Sequence, residues 1–199
     1  MLSHKDQKGF TIIEVLVALV LTGIITTIIF SFFTTSLNQY LTLQADGMSF
    51  GSISMQSQRI ATVTRGLTDI SYAGDSELTI YAYFSPRDST MSLIRYYKNP
   101  DGSKFLADVT PMTANPPVGV PITASKQTYT IVEPFYTLSG VSTFVYFDSG
   151  GTKLTTPVVD KNTIQQVQIN LASPSKAPSA DGYNLVTVQV SLRNRKVNL

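Results

Sequence analysis

An apolar run near the start of the chain, Phe10 to Phe33, limits what this sequence can become more than any other feature. Of its 24 residues, 17 are apolar, five are Thr or Ser, and the remaining two are Gly23 and Glu14. As a helix rising 1.5 Å per residue, the run spans roughly 36 Å, enough to cross a bilayer core of about 30 Å. Lys5 and Lys8 precede it, and the next basic residue is Arg59. By the positive-inside tendency, the N-terminus stays cytoplasmic and the bulk of the chain lies outside. Glu14 is the anomaly, because a carboxylate inside a span is costly and normally faces a partner.

Three readings account for the segment differently. A secretory signal peptide has an apolar region of about 7–15 residues and a small-residue cleavage site. This run is longer, and "SFFTTSLNQYL" after it contains no such site. An uncleaved anchor fits the length but gives Glu14 no purpose. Cleavage between Gly9 and Phe10 keeps the helix and creates an α-amine with a pKa near 8, one helical turn from Glu14. Taken alone, Glu14 also fits the positive end of a helix at the membrane interface. The Thr and Ser residues of the span, Thr11 included, read as backbone-bonding or helix-packing positions.

The stretch "KGFTIIEVLVALVLTGII" resembles the prepilin signal of type IV pilins and type II secretion pseudopilins. The resemblance implies a leader over 1–9 ending at Gly9, a mature N-terminus at Phe10 that is N-methylated, and Glu14 as the acid that meets Phe10 of a neighbouring subunit during filament assembly. The implied partners are other pilin or pseudopilin subunits, a prepilin peptidase, membrane lipid and, indirectly, an assembly platform with its ATPase. Gly23 falls where such pilins often carry glycine. The span has no proline, which departs from many major pilins and removes the basis for a kink there.

No proline occurs before Pro86, so nothing forces the helix to stop early. Leu37, Leu41, Met48 and Met55, then Ile53, Ile60, Val63, Leu67 and Ile70, continue a helical stripe. The expectation is a membrane-spanning half over 10–33 and an amphipathic half over 34–71 packed on a domain. Gly47, Gly51 and the Ser-rich "GSISMQSQ" leave open a bend or melted turn, since an interior glycine costs roughly 0.5–1 kcal/mol. "GMSFG" also matches a helix-contact G-x-x-x-G pattern, but outside the apolar span.

From residue 72 to 199 the period changes to two. "ELTIYAYF" sets Leu78, Ile80, Ala82 and Phe84 against Thr79, Tyr81 and Tyr83. "SLIRYYKNPDGSKFLADV" predicts a hairpin turning at Asp101 and Gly102, and "VSTFVYFDSGGTKLT" a second around Gly150 and Gly151. "TIQQVQINLA" and "YNLVTVQVSLRNR" are one-sided strands, whereas "TPMTANPPVGVPITASKQT" and "SPSKAPSADG" read as loops. One long helix followed by strands alone predicts an α+β fold, with the helix laid against an antiparallel β domain.

Composition narrows the chemistry. The chain has no Cys and no Trp, and its one histidine, His4, lies ahead of the apolar run. Thiolate and imidazole sites are therefore unavailable after position 9. Charged residues are 14% of the chain against roughly 25% in soluble domains, which suits an outer or assembly-forming surface. "DGSKFLADV" and "FDSGG" lack the alternating ligands and closing glutamate of a calcium loop and read as turns. No lysine-ended phosphate loop is present, so the sequence yields no enzyme, cofactor or metal reading.

Without cysteines, the outer part cannot close the C-terminal disulfide loop common in major pilins; the order of its tail segments resembles minor pilins and J-type minor pseudopilins. That resemblance implies a role in priming or capping a filament. The rival reading is an anchored outer binding or adhesin domain that never polymerises. "RYYK" and "RNRK" add a candidate DNA contact, with Tyr96 or Tyr97 stacking and Arg95, Lys98, Arg193, Arg195 or Lys196 meeting phosphates. Ordinary strand and terminal surface explains the same residues and is the favoured reading.

Overall fold

The computed structural model describes residues 9–175, 177 and 181–193. A single helix, α1, runs from Ile12 to Arg65 over 54 residues. Eight strands follow: β1 (Asp69–Ala73), β2 (Glu77–Ala82), β3 (Ser92–Lys98), β4 (Phe105–Pro111), β5 (Gln127–Val132), β6 (Phe144–Phe147), β7 (Gln166–Pro174) and β8 (Tyr183–Ser191). The chain divides into two compact units, Met1–Gln44 and Ala45–Leu199, the second holding the end of α1 and all the strands. This is the α+β architecture expected, a long N-terminal helix packed through its end on antiparallel sheet.

The helix settles one open point and departs from expectation at its end. It passes through Gly47 and Gly51 without a break, because two glycines only subtract from a ladder whose propagation adds a bond per residue. It also ends at Arg65, short of the expected 71. The amides of Gly66 and Leu67 bond the carbonyls of Val63 and Thr64 at 3.2 Å each, tightening the last turn, and Ile70 then enters β1 opposite Ile80. A single buried isoleucine fits either period, so the stripe did not mark where the period changed.

The burial of α1 also separates two sets of residues that the sequence stripe had joined. Ile53, Ser57, Ile60, Ala61, Val63 and Thr64 are buried, whereas Met48 and Met55 are 71% and 66% exposed. Met55 is two residues, about 200° of helix rotation, from Ile53, so the two cannot share a face. Leu37 and Leu41, in the first unit, are exposed as well.

Strands β1 to β5 form a meander in sequence order, and β6, β7 and β8 a second antiparallel sheet. The inward residues of β2, β7 and β8 are those predicted, with Leu78, Ile80, Val167, Ile169 and Leu171 fully buried. The β3–β4 hairpin turns as expected, the Gly102 amide bonding the Asn99 carbonyl at 3.0 Å and its φ of 73° favouring glycine. The second expected hairpin is only half formed. Its turn is present at 148–152, but the returning arm makes one bridge, Phe147 to Lys153, and the true partner of β6 is β7. β5 had no counterpart in the sequence reading, which placed its first two residues in a loop and left the rest unassigned, since its first four residues are exposed and show no alternation.

The two sheets share one core with the end of α1. Phe105 of β4 meets Phe144 of β6 at 6.1 Å between ring centroids. Backbone bonds stitch the sheets at Phe144 N–H to Asp75 O (2.9 Å), Val158 N–H to Ala73 O (2.9 Å) and Tyr136 N–H to Ala172 O (2.9 Å). The buried Tyr146 hydroxyl adds a bond to the Gly74 carbonyl at 3.0 Å. On the helix, Ser57 Oγ and Thr64 Oγ1 are buried without a hydrogen-bond partner among the described residues. An unsatisfied buried hydroxyl costs about 1–3 kcal/mol. Thr64→Val, which keeps the shape and removes that group, is expected to stabilise the β domain by about 1 kcal/mol, measured by urea unfolding of the detergent-solubilised chain.

Candidate functional site

The start of α1 builds the first site. Gly9, Phe10 and Thr11 precede the helix, with Phe10 87% exposed; residues 1–8, including Lys5 and Lys8, lie outside the described residues. Thr11 occupies the N-cap position, its carbonyl accepting the first intrahelical bond from Val15 N–H at 3.3 Å. Glu14 stands three residues on. Its Oε2 accepts the Thr11 amide at 2.8 Å and the Thr11 hydroxyl at 2.9 Å, and the Glu14 amide reaches back to Thr11 Oγ1 at 3.4 Å. This is a reciprocal capping box, which satisfies helix-start donors that otherwise have no intrahelical acceptor. The sequence signal for it was "TIIE", a Thr followed three residues later by Glu before an apolar run.

The box gives Thr11 a role the sequence reading left generic and fixes how Glu14 is presented. Both Thr11 donors use one carboxylate oxygen, and Oε1 has no partner among the described residues. Deeper in the span, the hydroxyls of Thr26 and Thr27 bond the carbonyls of Thr22 and Gly23 at 2.7 and 2.8 Å. Glu14 is thus the one group of the apolar run with spare capacity for a charged partner.

The model of the prokaryotic N-terminal methylation motif matches residues 4–30, the segment that contains this cap and most of the apolar run. The chain carries the type IV pilin and pseudopilin signature. No curated protein and no solved structure matches it. The motif implies association with pilin subunits and processing by a prepilin peptidase, and together with the apolar helix it suggests a single-pass, membrane-anchored protein.

The second set of sequence candidates is divided by the pleat. Tyr96 is 1% exposed, inside the core, where it cannot stack on a base. Its neighbours Arg95 and Tyr97 share the opposite face of β3, the guanidinium lying 4.4 Å from the ring centroid. Arg95 holds Glu77 through two bonds, Nε to Oε1 at 2.8 Å and Nη2 to Oε2 at 2.7 Å. Lys98 stands apart from this pair in a groove between the sheets. Arg193 is exposed just after β8, and Arg195 and Lys196 lie outside the described residues. The acids beside glycine act in turns: Asp101 accepts the Ser103 amide at 2.8 Å, and Asp148 the Gly150 and Thr152 amides at 2.9 and 2.8 Å.

The feature of this face that pattern reading missed is Asp108 of β4, a buried carboxylate across the ladder from Arg95. Lys126 reaches it at 2.7 Å, Thr128 at 2.6 Å and the Tyr97 hydroxyl at 3.2 Å. Burial alone would raise its pKa. The bonds from Lys126, Thr128 and Tyr97, with the Lys126 charge, outweigh burial and hold the carboxyl below its ordinary value. A depressed folded-state pKa adds stability that is present above the unfolded value and lost as pH falls through the folded one. Stability of the β domain should therefore decline as pH drops below about 4, and Asp108→Asn should lower stability at neutral pH while flattening that acid limb in denaturation curves.

Proposed function

We propose that this chain is a minor pilin or pseudopilin subunit that initiates, caps or helps build a type IV pilus-like or type II secretion filament. Its leader, residues 1–9, is removed after Gly9, Phe10 is N-methylated, and residues 10–33 first anchor the subunit in the membrane and then pack in the filament core. Residues 34–71 continue toward the outer domain at 72–199, which lies outside the cytoplasmic membrane. The observation that carries this reading is the capped Glu14 with an open Oε1. A cationic α-amine created at a neighbour's Phe10 is the complementary group, and a charge-assisted bond in a low-dielectric setting is stronger than its exposed counterpart. The 18-residue apolar window within α1 has no buried residue, so its side chains are free to pack against lipid or other helices.

A non-polymerising anchored binding domain shares the membrane helix but needs no free amine near Glu14. Mass spectrometry of the native N-terminus separates the two. A mature chain starting at N-methylated Phe10 is expected; intact Met1 in cells with an active prepilin peptidase would overturn the filament reading. Glu14→Val should insert in the membrane and be lost from sheared filaments, read by immunoblot of the filament fraction, whereas normal incorporation would remove the pairing role.

A further inference from the structure

A groove of about 280 Å³ lies in the outer domain where the 135–143 connection passes between the sheets. Its walls are pinned rather than loose. Phe135 N–H bonds Ser103 O at 2.7 Å, Tyr136 N–H bonds Ala172 O at 2.9 Å, and Asn170 Nδ2 donates to Ser142 O at 2.8 Å. A site of this kind is formed before any ligand arrives, and its volume is near the lower end of small-molecule sites, about 300–1,000 Å³.

Lys98 is the one basic residue among those that line the groove. Arg95, Lys104 and Lys126 each hold a carboxylate, on Glu77, Glu133 and Asp108. Lys98 is partly buried in the groove and has no acidic partner among the described residues. Around it, the side-chain hydroxyls of Ser76, Thr137, Ser142 and Thr143 line the groove with no bond to another protein group among the described residues. Asp75 accepts the Thr156 hydroxyl through one oxygen only. Apolar surface is supplied by Tyr136 and Leu185, Tyr136 already stacked on Tyr183 at 5.6 Å.

We infer that this groove binds a single acidic sugar, a hexuronate unit, with its carboxylate on Lys98, its hydroxyls among the Ser, Thr and Asp75 side chains, and a ring face on Tyr136 and Leu185. One ammonium calls for one anionic group, and the Asp75 carboxylate repels a phosphate dianion about twice as strongly as a carboxylate monoanion at the same distance, while it accepts bonds from sugar hydroxyls. Several hydroxyl partners beside an apolar wall suit a pyranose, which is polar at its edge and apolar on its face.

The test is calorimetric titration of the purified full chain in detergent with sodium glucuronate, glucose and sodium acetate at constant ionic strength. Glucuronate should bind at least about tenfold more tightly than either of the others, as expected for a charge-assisted bond added to hydroxyl contacts. Lys98→Met should bring glucuronate down to the glucose level, Lys98→Arg should retain part of the difference, and Thr137→Trp, which fills the groove from an exposed loop, should abolish binding. Absence of saturation, equal binding of acetate and glucuronate, or full affinity in Lys98→Met would each overturn the assignment. Unchanged thermal melting of the variants is the folding control.

Discussion

The β domain depends on the contact between the last turns of α1 and the sheets behind them. Ile53, Ser57, Ile60, Ala61, Val63 and Thr64 recur at helical spacing and are all buried, while side chains half a turn away stay exposed. Two of the six contact residues are hydroxyl-bearing and one is alanine. Small side chains let a helix lie close to a pleated surface, and the large residues Tyr96, Phe105, Phe144 and Tyr146 fill the volume from the sheet side. Because the same cluster includes residues of both sheets, the helix end is the piece around which they share one core.

Much of this was legible in the residues. The apolar positions of the alternation in β2, β7 and β8 named the residues that reach the core, and the Asp101–Gly102 turn fixed the β3–β4 register. What escaped had physical causes. β5 pairs at the edge of the meander with four exposed residues, so its backbone bonds, rather than its side chains, define it. Met48 and Met55 carry the same apolar character as Ile53 but point away from the domain, and composition does not distinguish a helix face that meets its own sheet from one left open.

At the candidate site, Gly9, Phe10 and Glu14 stood out because a charge in an apolar run is costly wherever it lies. Thr11 did not, although it touches Glu14 more intimately than any other described residue. The reason is that a capping residue is conspicuous only once the helix start is known. Likewise, the run "RYYK" joined side chains that the pleat sends to opposite faces, so that Tyr96 became core, Arg95 joined a surface ion pair and Lys98 lined a groove. Adjacency in sequence is a poor guide to shared chemistry within a strand, where only alternate residues are neighbours.

The stitching between the two sheets has a consequence for where such a domain can mature. Its cross-links are the backbone bonds from Phe144, Val158 and Tyr136 and the Tyr146 hydroxyl on Gly74, all of them formed by the same event that buries the core. No thiol takes part, so closure needs neither an oxidant nor a disulfide-shuffling catalyst, and ambient redox potential does not enter its folding equilibrium. A domain built this way reaches the same fold in oxidising or reducing surroundings alike.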